Sequence, residues 1–195
     1  TGRRLLSKRC NWCGDDPLYV QSHDNEWGVP VRDDPTLFEF LILEGAQAGL
    51  SWITILRKRP GYRALFDDFN VEKVARYTDR KLDKILTDPR IIRNKLKVYG
   101  ARKNARAFIA VQEEFGSFAD YMWGFVDGTP IQNRFKSMQD VPANTPLSDS
   151  ISKDMKKRGF TFIGTTIVYA HMQATGMVND HTTNCFRHKE CRKLG

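Results

Sequence analysis

The residues able to hold a metal ion are concentrated near the two ends of this 195-residue chain. Cys10, Cys13 and His23 lie near its start; His181, Cys185, His188 and Cys191 lie near its end. In an intracellular protein, thiols mixed with imidazoles in this way read as a metal site rather than as disulfides. One set drawn from both ends, Cys10, His23, His181 and Cys185, offers the soft-borderline tetrahedral donors that zinc prefers. Such a site pulls the termini together and makes metal binding part of folding. Spacing alone leaves the choice of ligands open. Cys13 forms a CxxC with Cys10, His188 and Cys191 lie beside the second pair, and buried Cys and His also pack without a metal. His181 and Cys185 share a face if their stretch is helical. Four protein ligands leave no position for a catalytic water, so the expected role of the metal is structural.

Between these ends the punctuation is helical. Asp34 reads as an N-cap and Pro35 as a first helical residue ahead of the apolar run LFEFLILE. Further helices are expected over Gly61–Phe66, Val71–Tyr77, Asp79–Thr87, Ile91–Glu114, Ser117–Phe125, Ser148–Lys157 and Thr165–Thr175, the last but one stopping at Gly159. GFTFIGTTIVY fits strand or helix by pattern alone. The expectation is a single all-α domain over 1–195, in two helical lobes with the site between them, behind an irregular N-terminal segment.

Composition narrows the partners. Hydrophobic residues make up 41% of the chain, enough for a real core, and no apolar run reaches the roughly 18–20 residues of a membrane helix. TGRRLLSKRC does not read as a signal peptide. A cytosolic protein with no membrane partner is expected. The net charge of +8 is what a phosphate-binding protein would carry.

The stretch LEGAQAGLSW (43–52) places Glu44 among residues too small to shield it. Gly45 and Gly49 each disfavour a helix by about 1 kcal/mol relative to alanine, which marks close approach or a break. Gly49 breaking the helix would let Leu50 project, with Ser51 capping the next helix. Aromatic residues gather nearby in sequence: Trp12, Tyr19, Trp27 and Trp52. Aromatic walls around one carboxylate suit a planar cationic heterocycle, through stacking, cation–π attraction and a hydrogen bond from an exocyclic amine.

Three blocks, DPLYVQSHDNEWGVP, LEGAQAGLSWITILRKR and KKRGFTFIGTTIVYAHMQATGMVNDH, resemble the 3-methyladenine DNA glycosylase I family. The resemblance runs from about Cys10 to Cys185. It implies a divergent helix-hairpin-helix glycosylase, all-helical, with one structural zinc ion joining the termini. The implied zinc ligands are Cys10, His23, His181 and Cys185, which leaves Cys13, His188 and Cys191 as spectators. The implied base-recognising carboxylate is Glu44, the aromatic pocket is Trp12, Tyr19, Trp27 and Trp52, and the intercalating residue is Leu50, flanked by Gly49 and Ser51. Two positions depart from the family pattern. Ser22 stands where a base-binding tyrosine is common, which keeps a hydroxyl and loses an aromatic face. Arg90 and Leu96 replace glycines of the hairpin DPRIIRNKLK, where Arg93, Lys95 and Lys97 would supply the charge for DNA.

The activity implied is hydrolysis of the N-glycosidic bond of 3-methyladenine flipped from double-stranded alkylated DNA, leaving an abasic site with no lyase step. Monomeric behaviour is implied as well. The competing expectation is a catalytically weakened protein of the same fold that only recognises damaged DNA.

Overall fold

The structure, a computed structural model, describes residues 8–195. The expectation about a signal peptide falls largely outside them. Ten α-helices among the described residues form the architecture, with two-residue parallel strands β1 (Ile131–Gln132) and β2 (Val178–Asn179) as a minor seam.

Helix α1 (Pro17–Asn25) corrects the expectation of an irregular N-terminal segment. Its signals are ordinary ones: Asp16 accepts from the Leu18 amide and Pro17 opens the first turn. Only a 3-10 turn at Asn11–Cys13 and short links remain irregular before it. Helix α2 (Asp34–Gln47) is the core of the molecule, buried continuously from Leu37 to Ala46. A helix buried all round must be wrapped on every side, and α3, α6, α7 and α9 supply the wrapping. Its N-cap is Asp33 rather than Asp34, with the Asp33 carboxylate accepting from Thr36 N at 3.0 Å. Asp34 serves a different helix. Its two oxygens accept from the Phe118 and Ala119 amides at 2.9 and 2.8 Å, at the start of α7 (Phe118–Gly124).

Helix α3 (Trp52–Leu65) starts directly after Ser51, as the break at Gly49 implies, and runs through Pro60 into the stretch expected to be helical from Gly61. Proline removes one backbone donor, and packing of α3 on both α1 and α2 outweighs that local loss. After α4 (Val71–Ala75) and α5 (Asp79–Ile85), a loop leads to the long α6 (Lys95–Phe115). That helix starts at the cap Asn94, four residues later than expected, because Ile91 turns into the core and Asn94 accepts from the Lys97 amide. Thr145 and Ser148 form a reciprocal capping box on α8 (Pro146–Lys157), which ends before Gly159 as expected. GFTFI is neither strand nor helix, with Gly159 at φ +94° and Phe162 at φ +54°, and α9 (Thr165–Ala174) begins after it. His181 and Cys185 lie on a turn rather than a helix, with α10 (Phe186–Arg192) starting directly after. No helix among the described residues is long and apolar enough to cross a membrane.

Candidate functional site

The chain ends meet at a buried cluster. Cys10 Sγ, His23 Nε2, His181 Nδ1 and Cys185 Sγ all lie within 4.8 Å of one another. Cys10 Sγ is 3.4 Å from His181 Nδ1, and Cys185 Sγ is 3.4 Å from His23 Nε2 and 3.6 Å from His181 Nδ1. Zn–S and Zn–N bonds of about 2.3 and 2.0 Å, set tetrahedrally, give ligand separations of about 3.5 Å. The remaining ring nitrogens are held from outside. His23 Nδ1 is 2.8 Å from Asp24 Oδ1, and His181 Nε2 donates to the Trp27 carbonyl at 2.8 Å. These partners fix each ring so that its other nitrogen faces the centre, the arrangement metal-binding histidines show. The hydrogen bond they share pushes the Cys10 thiol up and pulls the Cys185 thiol down. Holding both sulfurs as thiolates would require a cation, and this group can bind a metal ion. Cys13 and Cys191 are buried beside it but stand outside the four. Gly28 belongs to its frame: at φ +84° an added Cβ would fall 2.9 Å from the His181 ring.

Aromatic rings carry this cluster directly into a cleft. His23 and His181 meet edge to face at 4.7 Å, His181 meets Trp27 at 4.8 Å, and Trp12 meets both Trp27 and Tyr19 at about 5 Å. Trp12, Tyr19, Trp27, Trp52, Glu44, Gln47, Met138, Ala170 and Gln173 line a cleft of about 170 Å³, room for one flat ring system. Glu44 and all four aromatics expected from sequence are thus brought together. Met138, Ala170 and Gln173 were not expected. Ala170 and Gln173 sit three apart on α9, and Met138 on a 3-10 turn; helical spacing could have paired the first two, but nothing local placed either beside Glu44.

Two carboxylates on α2 show what is unusual about this cleft. Glu39 is buried, and burial alone would raise its pKa, but hydrogen bonds from Arg63 and Arg59 at 2.7 and 3.0 Å hold it below the ordinary value. Glu44 is only 4% exposed and has no such cation; its Oε2 is buried without a hydrogen-bond partner among the described residues. Burial pushes its carboxyl up to about 8. The indole Nε1 of Trp12, on the same cleft, is equally unpartnered. Native interiors rarely leave such groups unsatisfied. An acceptor and a donor facing one cleft have the form of a ligand site.

Ser22 stands behind this wall rather than in it. It is buried, and its Oγ accepts from Trp52 Nε1 at 3.4 Å. Residues 47–50 form a tight turn closed by Leu50 N to Gln47 O at 2.6 Å. Ala48 at φ −46°, ψ 116° and Gly49 at φ +80° give it type II geometry, which demands glycine at the second central position. Leu50 projects with 40% of its surface exposed. Ser51 precedes α3, but its hydroxyl pairs with Thr54 Oγ1 at 2.8 Å instead of capping a backbone amide. Arg93, Lys95 and Leu96 are exposed around the start of α6. The Lys97 ammonium is turned inward, donating to the carbonyls of Ala46 and Ala48 at 2.9 and 2.8 Å. It therefore closes the C-terminal end of α2, where carbonyls lack intrahelical partners and the helix dipole favours a cation. Arg90 is held by Asp88, and its backbone packs against Gly61 so closely that a Cβ there would fall 2.4 Å from the Arg90 Cβ.

The molecule is thus a mostly helical body with a cleft in which four aromatic rings surround a buried carboxylate that has no cation, and with Leu50, Arg93 and Lys95 exposed. The family model described as methyladenine glycosylase matches residues 12–188, and the chain belongs to that family. It is 46% identical over 178 residues to DNA-3-methyladenine glycosylase 1 of Escherichia coli K12, covering 91% of this chain and 95% of that protein. A crystal structure of 3-methyladenine DNA glycosylase I superposes with a TM-score of 0.90 at 49% identity, over 92% of this chain and 98% of the other. A single-substitution variant of another such enzyme, crystallised in complex with 3-methyladenine, gives 0.89 at 34% identity over 91% and 96%. The chain is accordingly a glycosylase.

Proposed function

We propose that this glycosylase removes 3-methyladenine from alkylated double-stranded DNA by hydrolysing the N-glycosidic bond, as a monofunctional enzyme that leaves an abasic site. The observation that carries the reading is the unpartnered Glu44 carboxylate between aromatic walls. Alkylation at N3 leaves the base in DNA cationic, so its glycosidic bond is already weak and little acid catalysis is required. What remains is selection and placement. The walls of Trp12, Tyr19, Trp27 and Trp52 stack the extruded ring, and Glu44 accepts from its exocyclic amine while offsetting its charge. The positive guest supplies the electrostatic partner that Glu44 lacks, drawing its proton off. As the bond to the sugar breaks, its electron pair leaves with the base as the neutral heterocycle, and water adds to the sugar carbon and gives up its proton to solvent. No lysine lines the cleft among the described residues, consistent with the absence of a lyase step.

Leu50, at the tip of the Gly49–Ser51 turn, would fill the gap left in the stack, as apolar wedges do in kinked DNA. Arg93 and Lys95, with the open N-terminus of α6, would hold phosphates, so that α5, the following loop and α6 act as the helix-hairpin-helix element. Lys97 would act by holding the turn rather than by touching DNA. Cys10, His23, His181 and Cys185 would hold one zinc ion, whose contribution is a closed cross-link beneath Trp27 and Trp12. We take the molecule to be one domain of two helical lobes, a monomer working in the bacterial cytosol.

The second reading, a binder without turnover, is favoured by Ser22, whose hydroxyl serves Trp52 rather than the cleft. Methylated duplex DNA incubated with the protein and analysed by chromatography separates the two. Release of free 3-methyladenine is expected; damage-dependent binding without release would establish the second reading.

A further inference from the structure

Gln173 reaches the cleft from α9 with its amide already committed. Its Nε2 donates to Asp180 Oδ2 at 2.9 Å. Asp180 is fully buried and receives donors from three residues: the Tyr169 hydroxyl, Asn133 Nδ2 at 2.7 Å and Gln173 itself. A carboxylate only accepts, so this arrangement fixes which end of the Gln173 amide faces Asp180. Oε1 is the end left over, and it has no donor among the described residues. The cleft then holds one buried open acceptor, Glu44 Oε2, and one buried open donor, Trp12 Nε1, and Gln173, which also lines it, has its Oε1 acceptor uncommitted.

We propose that Gln173, oriented by Asp180, is a specificity-determining residue that makes the cleft select purines bearing a 6-amino group and reject those with a 6-oxo group. This rests on the reading of the cleft as a base site. An exocyclic amine carries two hydrogens and can satisfy both acceptors at once, whereas a carbonyl oxygen at the same place would leave both unsatisfied and repel them. Sites that hydrogen-bond a group discriminate far more strongly than apolar pockets do, because the mismatched guest strands buried polar atoms. Asp180 is the positioning residue: it touches no base and acts by denying the Gln173 amide its other orientation.

The probes are free 3-methyladenine and 3-methylhypoxanthine, which differ in the amino or oxo group at position 6 and in the ring N–H that accompanies the oxo form. Binding to the whole protein is followed by quenching of tryptophan fluorescence. Wild type is expected to prefer the amino base, and Gln173→Leu to lose about tenfold of that preference. Asp180→Asn, which offers Gln173 an amide instead of a carboxylate, is expected to lower the same ratio with Gln173 still in place, metal content and melting temperature being recorded alongside. A wild-type protein indifferent to the two bases, or a Gln173→Leu ratio equal to wild type, overturns the proposal. Failure of wild type to release base from methylated DNA, with the free-base preference intact, counts against the glycosylase reading alone.

Discussion

The Cys/His cluster and the aromatic cleft touch ring against ring, yet they treat polar atoms in opposite ways. In the cluster, both outward ring nitrogens are taken by Asp24 or the Trp27 carbonyl, and all inward donors converge on one point. In the cleft, Glu44 Oε2 and Trp12 Nε1 are buried with nothing to bind. The first arrangement is closed and suits holding the chain together. The second is open and suits a guest that completes it. Glu39 and Glu44 repeat the contrast along a single helix: the first is paired with two arginines and held ionised, and the second has no cation and is pushed up to about 8 by burial.

The largest effect should come from opening the closed region. Removing the metal with a strong chelator, or His181→Ala, should lower stability by on the order of 5 kcal/mol and the melting point by more than 10 °C, read by calorimetry. A melting curve indifferent to both would dissolve the contrast.

Filling the open region's vacancy should do the reverse. Glu44→Gln should lose about 100-fold in kcat/KM on alkylated duplex DNA without a loss of stability at pH 8.5. The sign follows from linkage. With a folded-state pKa of about 8 against an ordinary value of 4.5, folded Glu44 binds its proton more tightly than the unfolded chain does. Its contribution is full below pH 4.5 and is lost as pH rises toward 8, so wild type should weaken over that range relative to Glu44→Gln. In the free enzyme, kcat/KM should rise toward pH 8 as Glu44 ionises, and that limb should vanish in the variant. Parallel stability curves for the two proteins would place a hidden partner beside Glu44.

Smaller effects are expected where the cleft meets the DNA-facing turn. Lys97→Met leaves the Ala46 and Ala48 carbonyls unpaired, and should reduce kcat/KM about tenfold with a melting point lower by a few degrees. Lys97→Arg should recover part of both. Equal salt dependence of DNA binding in wild type and Lys97→Met is expected for an inward-facing ammonium; a slope shallower by about one would make Lys97 a phosphate contact. Leu50→Ala should change stability least, within about 0.5 kcal/mol, because the side chain is half exposed. Its excision of paired 3-methyladenine should nonetheless fall several-fold, and an unchanged rate would remove the wedge role.

Sequence carried much of this because the signals were local. Asp16–Pro17 and Asp33–Asp34–Pro35 are the same kind of helix start, and only the second was legible amid an apolar run. The start of α3 after Ser51 was legible, whereas its passage through Pro60 was not, because packing on two neighbours outweighs the proline. Lys97 looked like one more surface cation, because nothing in its neighbours in the chain shows that α2 ends beneath it.

By itself the sequence showed the helical class, a pool of Cys and His near both ends of the chain, a group of aromatic residues, and the glycine that lets Leu50 project. Those follow from residue chemistry and short-range spacing, which the chain displays in order. Only the tertiary structure decided that Gln173, Ala170 and Met138 face Glu44, that Ser22 backs Trp52, and that Glu44 is left without a cation while Glu39 has two. Pairing and its absence depend on which surfaces meet across more than a hundred residues of chain, and no local pattern encodes a partner that fails to arrive.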